Sequence, residues 1–162
     1  MKYKIELAKI EDITDIYKLI YDRCVWFEQK KFKGWGLNRY HNLINEKYFE
    51  SHFITDKLYV IKENNKIVGS MLLKEDDKDF WEDDEASYYI HNLVTDINIK
   101  GIGKHLINFA IEKCKEDNKK FLRLDCYTES VFLNDYYKQV GFKYIKSGKI
   151  GNYEFNLLEL EV

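Results

Sequence analysis

Residues 89–110, YIHNLVTDINIKGIGKHLINFA, pass from an apolar, β-prone run through two glycines into an amphipathic helix. That junction constrains the chain more than any other segment, because it ties one strand to one helix across a short turn. Glycines at a helix start let backbone N–H groups approach a bound group closely. The helix N-terminus adds unpaired donors and a partial positive charge, so a phosphate or diphosphate is favoured there. Lys100 and Lys104 flank the turn with charge. The same glycines would also serve a plain tight turn with no ligand. Two nucleotide-binding patterns are excluded. A P-loop needs Ser or Thr after Gly-Lys, and His105 follows Gly103-Lys104. A dinucleotide fingerprint needs a third glycine where Leu106 stands, and Asp125, at about the right distance for its acid, does not replace that glycine.

The chain has 162 residues and no proline, so its eight glycines supply most of the strong breaks. That length suits one domain, residues 1–162, with a full hydrophobic core. Lys2 to Leu7 alternates as a strand. From Glu11 to Gln29, Ile13, Ile16, Leu19, Ile20, Cys24 and Phe27 recur at helical spacing until Gly34 and Gly36 intervene. A second helical stretch is expected from Arg39 to Ser51. Lys57 to Glu63 and Lys66 to Leu73 read as a hairpin across Asn64-Asn65, since paired Asn tolerates positive φ. Strands follow at Ser87 to Thr95 and Phe121 to Tyr127, separated by the glycine-started helix. A short helix places Leu133, Tyr136, Tyr137 and Val140 on one stripe and stops at Gly141. Phe142 to Ser147 and Tyr153 to Glu161 complete the strands. The order β-α-α-β-β-β-α-β-α-β-β describes one mixed sheet with helices on its faces, an α/β (α+β) architecture.

A net charge of −2 gives no general basic field for nucleic acid. No apolar run approaches the roughly 18 residues that would span a bilayer, and the N-terminal MKYKIELAKIED lacks the apolar stretch of a secretory signal. Cys24, Cys114 and Cys126 are odd in number and lack CxxC spacing, which argues against a disulfide framework or a zinc site. Buried thiols and a cytoplasmic location are expected. Residues 75–86, EDDKDFWEDDEA, hold eight acids against one Lys and read as a solvated loop.

The segment 130–142, SVFLNDYYKQVGF, sets two tyrosines before a Gly-Phe helix stop. With the glycine turn, it makes residues 86–142 resemble the acyl-CoA-binding core of the GNAT superfamily of N-acetyltransferases. Asn98-Ile-Lys-Gly-Ile-Gly103 stands where that family has Arg/Gln-x-x-Gly-x-Gly/Ala, with Asn98 in place of the Arg or Gln. The resemblance implies a single GNAT-like domain with a mostly antiparallel sheet of six to seven strands and helices on both faces. It implies acetyl-CoA as co-substrate, no metal, and a primary amine, small-molecule or peptide, as acceptor. Leu93, Val94 and Thr95 would lend backbone groups to the pantetheine arm. Asn98, Lys100, Gly101, Ile102, Gly103 and Lys104 would hold the diphosphate. Ser130 and Asn134 would lie along the cofactor arm. Tyr137 matches the general acid that assists the departing sulfur. A phenol with pKa about 10 is protonated at pH 7, so it can donate.

The amine arrives as an ammonium ion and must lose a proton before it attacks the thioester directly. His91, the acids Glu82 to Glu85 entering its strand, or a water chain between them are candidates for that proton; His91 also fits as a structural strand histidine. The acidic segment would steer a cationic amine or simply stay solvated. By the same resemblance, Trp26, Trp35 and Tyr40 would stand where the family has its acceptor-pocket wall, and core aromatics account for them as well. Cys126 and His91 lie on different strands, so no acyl-enzyme dyad is implied. A non-catalytic acyl-CoA-binding module would keep the glycine turn without needing Tyr137, and a partner-binding domain would use the exposed aromatics. A monomer or a homodimer fits equally.

Overall fold

The computed structural model describes residues 2–36 and 40–162. Seven strands form one sheet: β1 (Tyr3–Leu7), β2 (Lys57–Glu63), β3 (Lys66–Lys74), β4 (Ser87–Thr95), β5 (Phe121–Tyr127), β6 (Lys143–Ile150) and β7 (Tyr153–Glu161). Their spatial order is β1-β2-β3-β4-β5-β7-β6. β4 and β5 are parallel, and the other neighbours are antiparallel. The β2–β3 hairpin turns on Asn64 and Asn65 at φ 49° and 66°, the left-handed pair that matches strand twist.

The expected first helix becomes a 3-10 turn, Ile10–Asp12, followed by α1 (Ile13–Lys30). Asp12 accepts the Lys9 N–H at 2.8 Å, and left-handed Lys31 ends the helix before the first glycine. The second helical stretch is not continuous. α2 (Tyr40–Leu43) and α3 (Glu46–Thr55) are separate because Asn45 turns out of the helix and caps Tyr48 N–H at 3.1 Å. The expected start at Arg39 lies outside the described residues. α4 (Ile102–Glu116) and α5 (Val131–Val140) follow, α5 stopping at Gly141 with φ 119°. β6 runs beyond Ser147 because its hairpin with β7 closes only at Gly151, φ 58°.

Strand alternation divides the core between the two faces. Tyr59, Ile61, Tyr88, Ile90, Leu122 and Leu124 meet α4 and α5. Leu58, Val60, Leu72 and Val94 meet α1 and α3. The acidic segment is not simply solvated. Trp81 and Phe80 pack with Tyr89, Phe155 and Leu157. The Arg123 guanidinium lies 4.2 Å over the Trp81 ring and binds Asp83 at 2.6 and 3.1 Å. An apolar anchor and a buried arginine thus hold this loop across the sheet, with Asp77 turned inward.

Candidate active site

β4 and β5 pair only from Ser87–Ile90 to Phe121–Leu124, although both strands continue. β4 stays with β3 and β5 with β7, so a gap opens beyond Ile90 and Leu124. The first residues past the fork are His91 and Asp125. A bulge follows on β4: Leu72 opposes His91 and Ser70 opposes Val94, leaving Asn92 and Leu93 against one residue of β3. Asn92 takes the left-handed conformation, φ 51°. Its side chain accepts from Tyr48 Oη and donates to Tyr40 Oη, both at 2.8 Å, so α2 and α3 fix the bulge. Past it, the Asp96 N–H reaches Val68 O on β3. Polar groups alternate sides along an antiparallel strand, so those of Thr95 face the gap. Arg23 Nη2 donates there to Thr95 O at 2.9 Å and to Thr95 Oγ1 at 3.0 Å.

At the mouth of the gap, α4 begins at Gly101, φ 87°, with open space where a Cβ would stand and no side-chain cap. Its first-turn amides, at Ile102, Gly103 and Lys104, are free for an anion. Gly103 is closely packed on its other side: a Cβ there would sit 3.0 Å from Tyr136 Oη, tighter than an ordinary contact. Asn98 is folded into its own turn, donating through Nδ2 to Asp96 Oδ1 at 3.1 Å. Lys100 and Lys104 are exposed. On the other bank, the buried Ser130 hydroxyl has no hydrogen-bond partner among the described residues. Asn134 is engaged: Nδ2 donates to Tyr127 O and Ser130 O, and Oδ1 accepts from Asn156. It shapes the β5–α5 turn, with both donor hydrogens used there.

Tyr137 is 8 % exposed and packs edge-on to Phe142. Burial, then the nearby Cys126, Tyr136 and Asp125, pushes its phenol well above the ordinary range, so it keeps its proton. Its hydroxyl makes no hydrogen bond among the described residues.

His91 lies between two carboxylates: Nε2 is 2.7 Å from Asp77 Oδ2, and Nδ1 is 3.8 Å from Asp125 Oδ1. Tyr153 Oη donates to Asp125 Oδ2 at 2.6 Å, and Lys74 Nζ is 3.6 Å from Asp77 Oδ1. Burial pushes the imidazole pKa down, but the Asp77 hydrogen bond and the charges of Asp125 and Asp77 raise it overall. Burial raises the Asp125 carboxyl in spite of His91 and Tyr153. The ligand atoms of Asp77, His91 and Asp125 lie within 4.8 Å of one another. The ring, however, offers a different nitrogen to each carboxylate. That arrangement suits an imidazolium between anions better than three ligands converging on one ion.

Of the expected acceptor wall, Trp35 and Tyr40 stack at 4.3 Å beside Asn92. Trp26 instead faces Phe132 of α5 at 6.3 Å, with Phe32 stacked on Phe132 at 5.5 Å. Glu85 stands before the paired start of β4 with Lys120 at 3.5 Å, so it does not share the gap with His91. Arg23, Asp77, Asn92, Tyr48, Asp125 and Tyr153 were not singled out from the sequence as site residues. Asn92 carried a signal, a turn-former inside an apolar strand. Asp77 carried none among eight acids of one segment.

Residues 14–142 match the family model described as Acetyltransferase (GNAT) family. The chain is 24% identical over 168 residues to the uncharacterized N-acetyltransferase YesJ of Bacillus subtilis, covering 96% of this chain and 88% of that protein. A crystal structure of a GNAT-family acetyltransferase from Listeria monocytogenes superposes with a TM-score of 0.73 at 24% identity, covering 99% of this chain and 95% of that one. The PaiA N-acetyltransferase of Thermoplasma acidophilum, solved in complex with coenzyme A, gives 0.77 at 14% identity with both chains fully covered. The two structural likenesses show a shared fold, and the family model spans most of the sequence. This chain belongs to the GNAT family of acetyltransferases.

Proposed function

We propose that residues 1–162 act as one domain that transfers the acetyl group of acetyl-CoA to a primary amine in the gap between β4 and β5. The observation that carries this reading is the gap itself. It joins the edge of β4 that pairs with no strand to the first-turn amides of α4, with the unpartnered Ser130 hydroxyl on the opposite bank. An extended amide-bearing arm fits the strand edge and a diphosphate fits the helix start, so these residues suit the co-substrate. Acetyl-CoA supplies the acyl group as an activated thioester.

Leu93 offers its backbone groups and Thr95 its N–H to the arm, the Thr95 carbonyl being held by Arg23 Nη2, and a backbone N–H of this stretch polarises the reacting carbonyl. Val94 turns into the core on the α1 side and holds the strand in line. Tyr137 donates a proton or hydrogen bond to the leaving sulfur. Its raised pKa keeps the donor form at neutral pH. His91 takes the proton of the incoming ammonium. With Nε2–H given to Asp77, the Nδ1 lone pair lies on the Asp125 side, 3.8 Å from Oδ1, and that carboxylate balances the charge that forms. Trp35 and Tyr40 wall the acceptor side with aromatic faces, which favour a cation.

The test is thiol release from acetyl-CoA across a panel of amines, with the product identified by mass. Amide product with at least one primary amine, strongly reduced in Tyr137→Phe, supports the reading. Acetyl-CoA binding without transfer to any amine would leave only a binding module and refute it.

A further inference from the structure

We propose that Arg23 is the cation that binds the diphosphate of acetyl-CoA, reaching the α4 turn from α1 through the mouth of the gap. This rests on acetyl-CoA being the donor, and adds a residue from an element outside the glycine turn.

Several observations converge on Arg23. Its Nη2 is held by Thr95 O and Thr95 Oγ1, while Nε and Nη1 carry no hydrogen bond among the described residues. It makes no ion pair among them. Asp96, the nearby acid that acts on it, is itself bound by Lys66 at 3.3 Å and by Asn98. A half-buried guanidinium with open donors and no counter-ion is costly unless an anion completes it. The residue its fork holds, Thr95, ends β4 just before the anion turn. Thr95 opposes Gly69, and a Cβ on Gly69 would sit 2.9 Å from Ile102 Cγ2, in the first turn of α4. Gly103 lies in ordinary contact distance of β4, its Cβ position 3.8 Å from Leu93 Cδ2.

The turn itself supplies no fixed charge. Asn98 is neutral and bound to Asp96, and Lys100 and Lys104 are exposed, strongly hydrated point charges. A planar guanidinium matches two phosphate oxygens at once, which an ammonium does not. Arg23 also lies over the Trp26 ring, its Cζ 5.0 Å from the centroid, which limits its rotamers and holds the fork ready.

The experiment compares wild type, Arg23→Gln and Arg23→Lys by calorimetric titration with CoA and with 3′-dephospho-CoA. It then measures kcat/KM for acetyl-CoA and for S-acetylpantetheine, which has the same arm and no phosphate. Thermal melts establish that each variant is folded. Arg23→Gln is expected to weaken CoA and dephospho-CoA alike by about tenfold to a hundredfold, with Arg23→Lys between it and wild type. S-acetylpantetheine turnover is expected to stay at the wild-type value. Unchanged CoA affinity in Arg23→Gln overturns the proposal. So does an equal loss with S-acetylpantetheine, which would make Arg23 a support for the strand, or a loss confined to CoA, which would assign it to the 3′-phosphate. Wild-type protein that binds no CoA refutes the donor as well, a result distinguishable from all of these.

Discussion

At the residue scale, His91 is the group whose surroundings make the sharpest demand. Its pKa is raised because Asp77 and Asp125 outweigh burial. Base form therefore appears only as pH passes the raised value, above the ordinary value of about 6.5. The rate with a given amine should rise through that point. Asp77→Asn keeps an acceptor but removes the carboxylate charge that raises it, so the limb should move to lower pH in a kcat/KM profile; an unmoved limb would mean another base. The stability linkage has the opposite slope. A folded pKa above the unfolded one stabilises fully below about 6.5 and loses that contribution as pH rises through the folded value. The denaturant stability of wild type over His91→Gln should accordingly be greater at low pH than at high pH. Tyr137→Phe keeps the buried ring and loses only the donor, so kcat should fall about a hundredfold or more while the CoA Kd stays unchanged. Equal kcat would remove Tyr137 from the chemistry. Tyr137 and the glycine turn were legible in the sequence because they sit in one continuous segment. The partners of His91 were not, since Asp77, Asp125 and Tyr153 come together only when three separate elements meet at the fork.

At the scale of elements, α4 is set on the sheet by an absent side chain. A Cβ on Gly69 would meet Ile102 Cγ2 and Ile61 Cγ2 at 2.9 Å and the Val94 carbonyl at 3.0 Å. The carbonyl belongs to a paired strand and has no room to yield. Gly69→Ala should therefore cost about 1–3 kcal/mol by overpacking, read as a lowered Tm, and should weaken CoA binding by lifting the helix start. A neutral effect would mean that the contact between α4 and β3 is loose. Strand and helix types followed from periodicity, and the paired Asn gave the β2–β3 turn. Two features resisted. The break between α2 and α3 depends on one cap, Asn45, inside a stretch whose apolar spacing continues across it. The parting of β4 and β5 is a matter of pairing between strands distant in sequence, and Ser87–Thr95 reads as one β-prone run across it.

For the whole molecule, the seven-stranded sheet is covered by helices on both faces and by the acidic segment over Tyr89, Phe155 and Leu157. All three cysteines are buried and free, and burial pushes their thiols up to about 11, 11 and 12 for Cys24, Cys114 and Cys126. A thiol reagent at pH 8 should label the native protein slowly and label all three on unfolding; rapid native labelling would contradict this packing. No helix among the described residues is long and apolar enough to cross a membrane. The account as a whole turns on where acetyl-CoA sits. Amide hydrogen exchange with and without it tests this most directly. Protection should appear at Leu93, Thr95 and residues 100–104, the two free stretches that border the gap. Binding with those amides unprotected, or protected only elsewhere, would contradict the account.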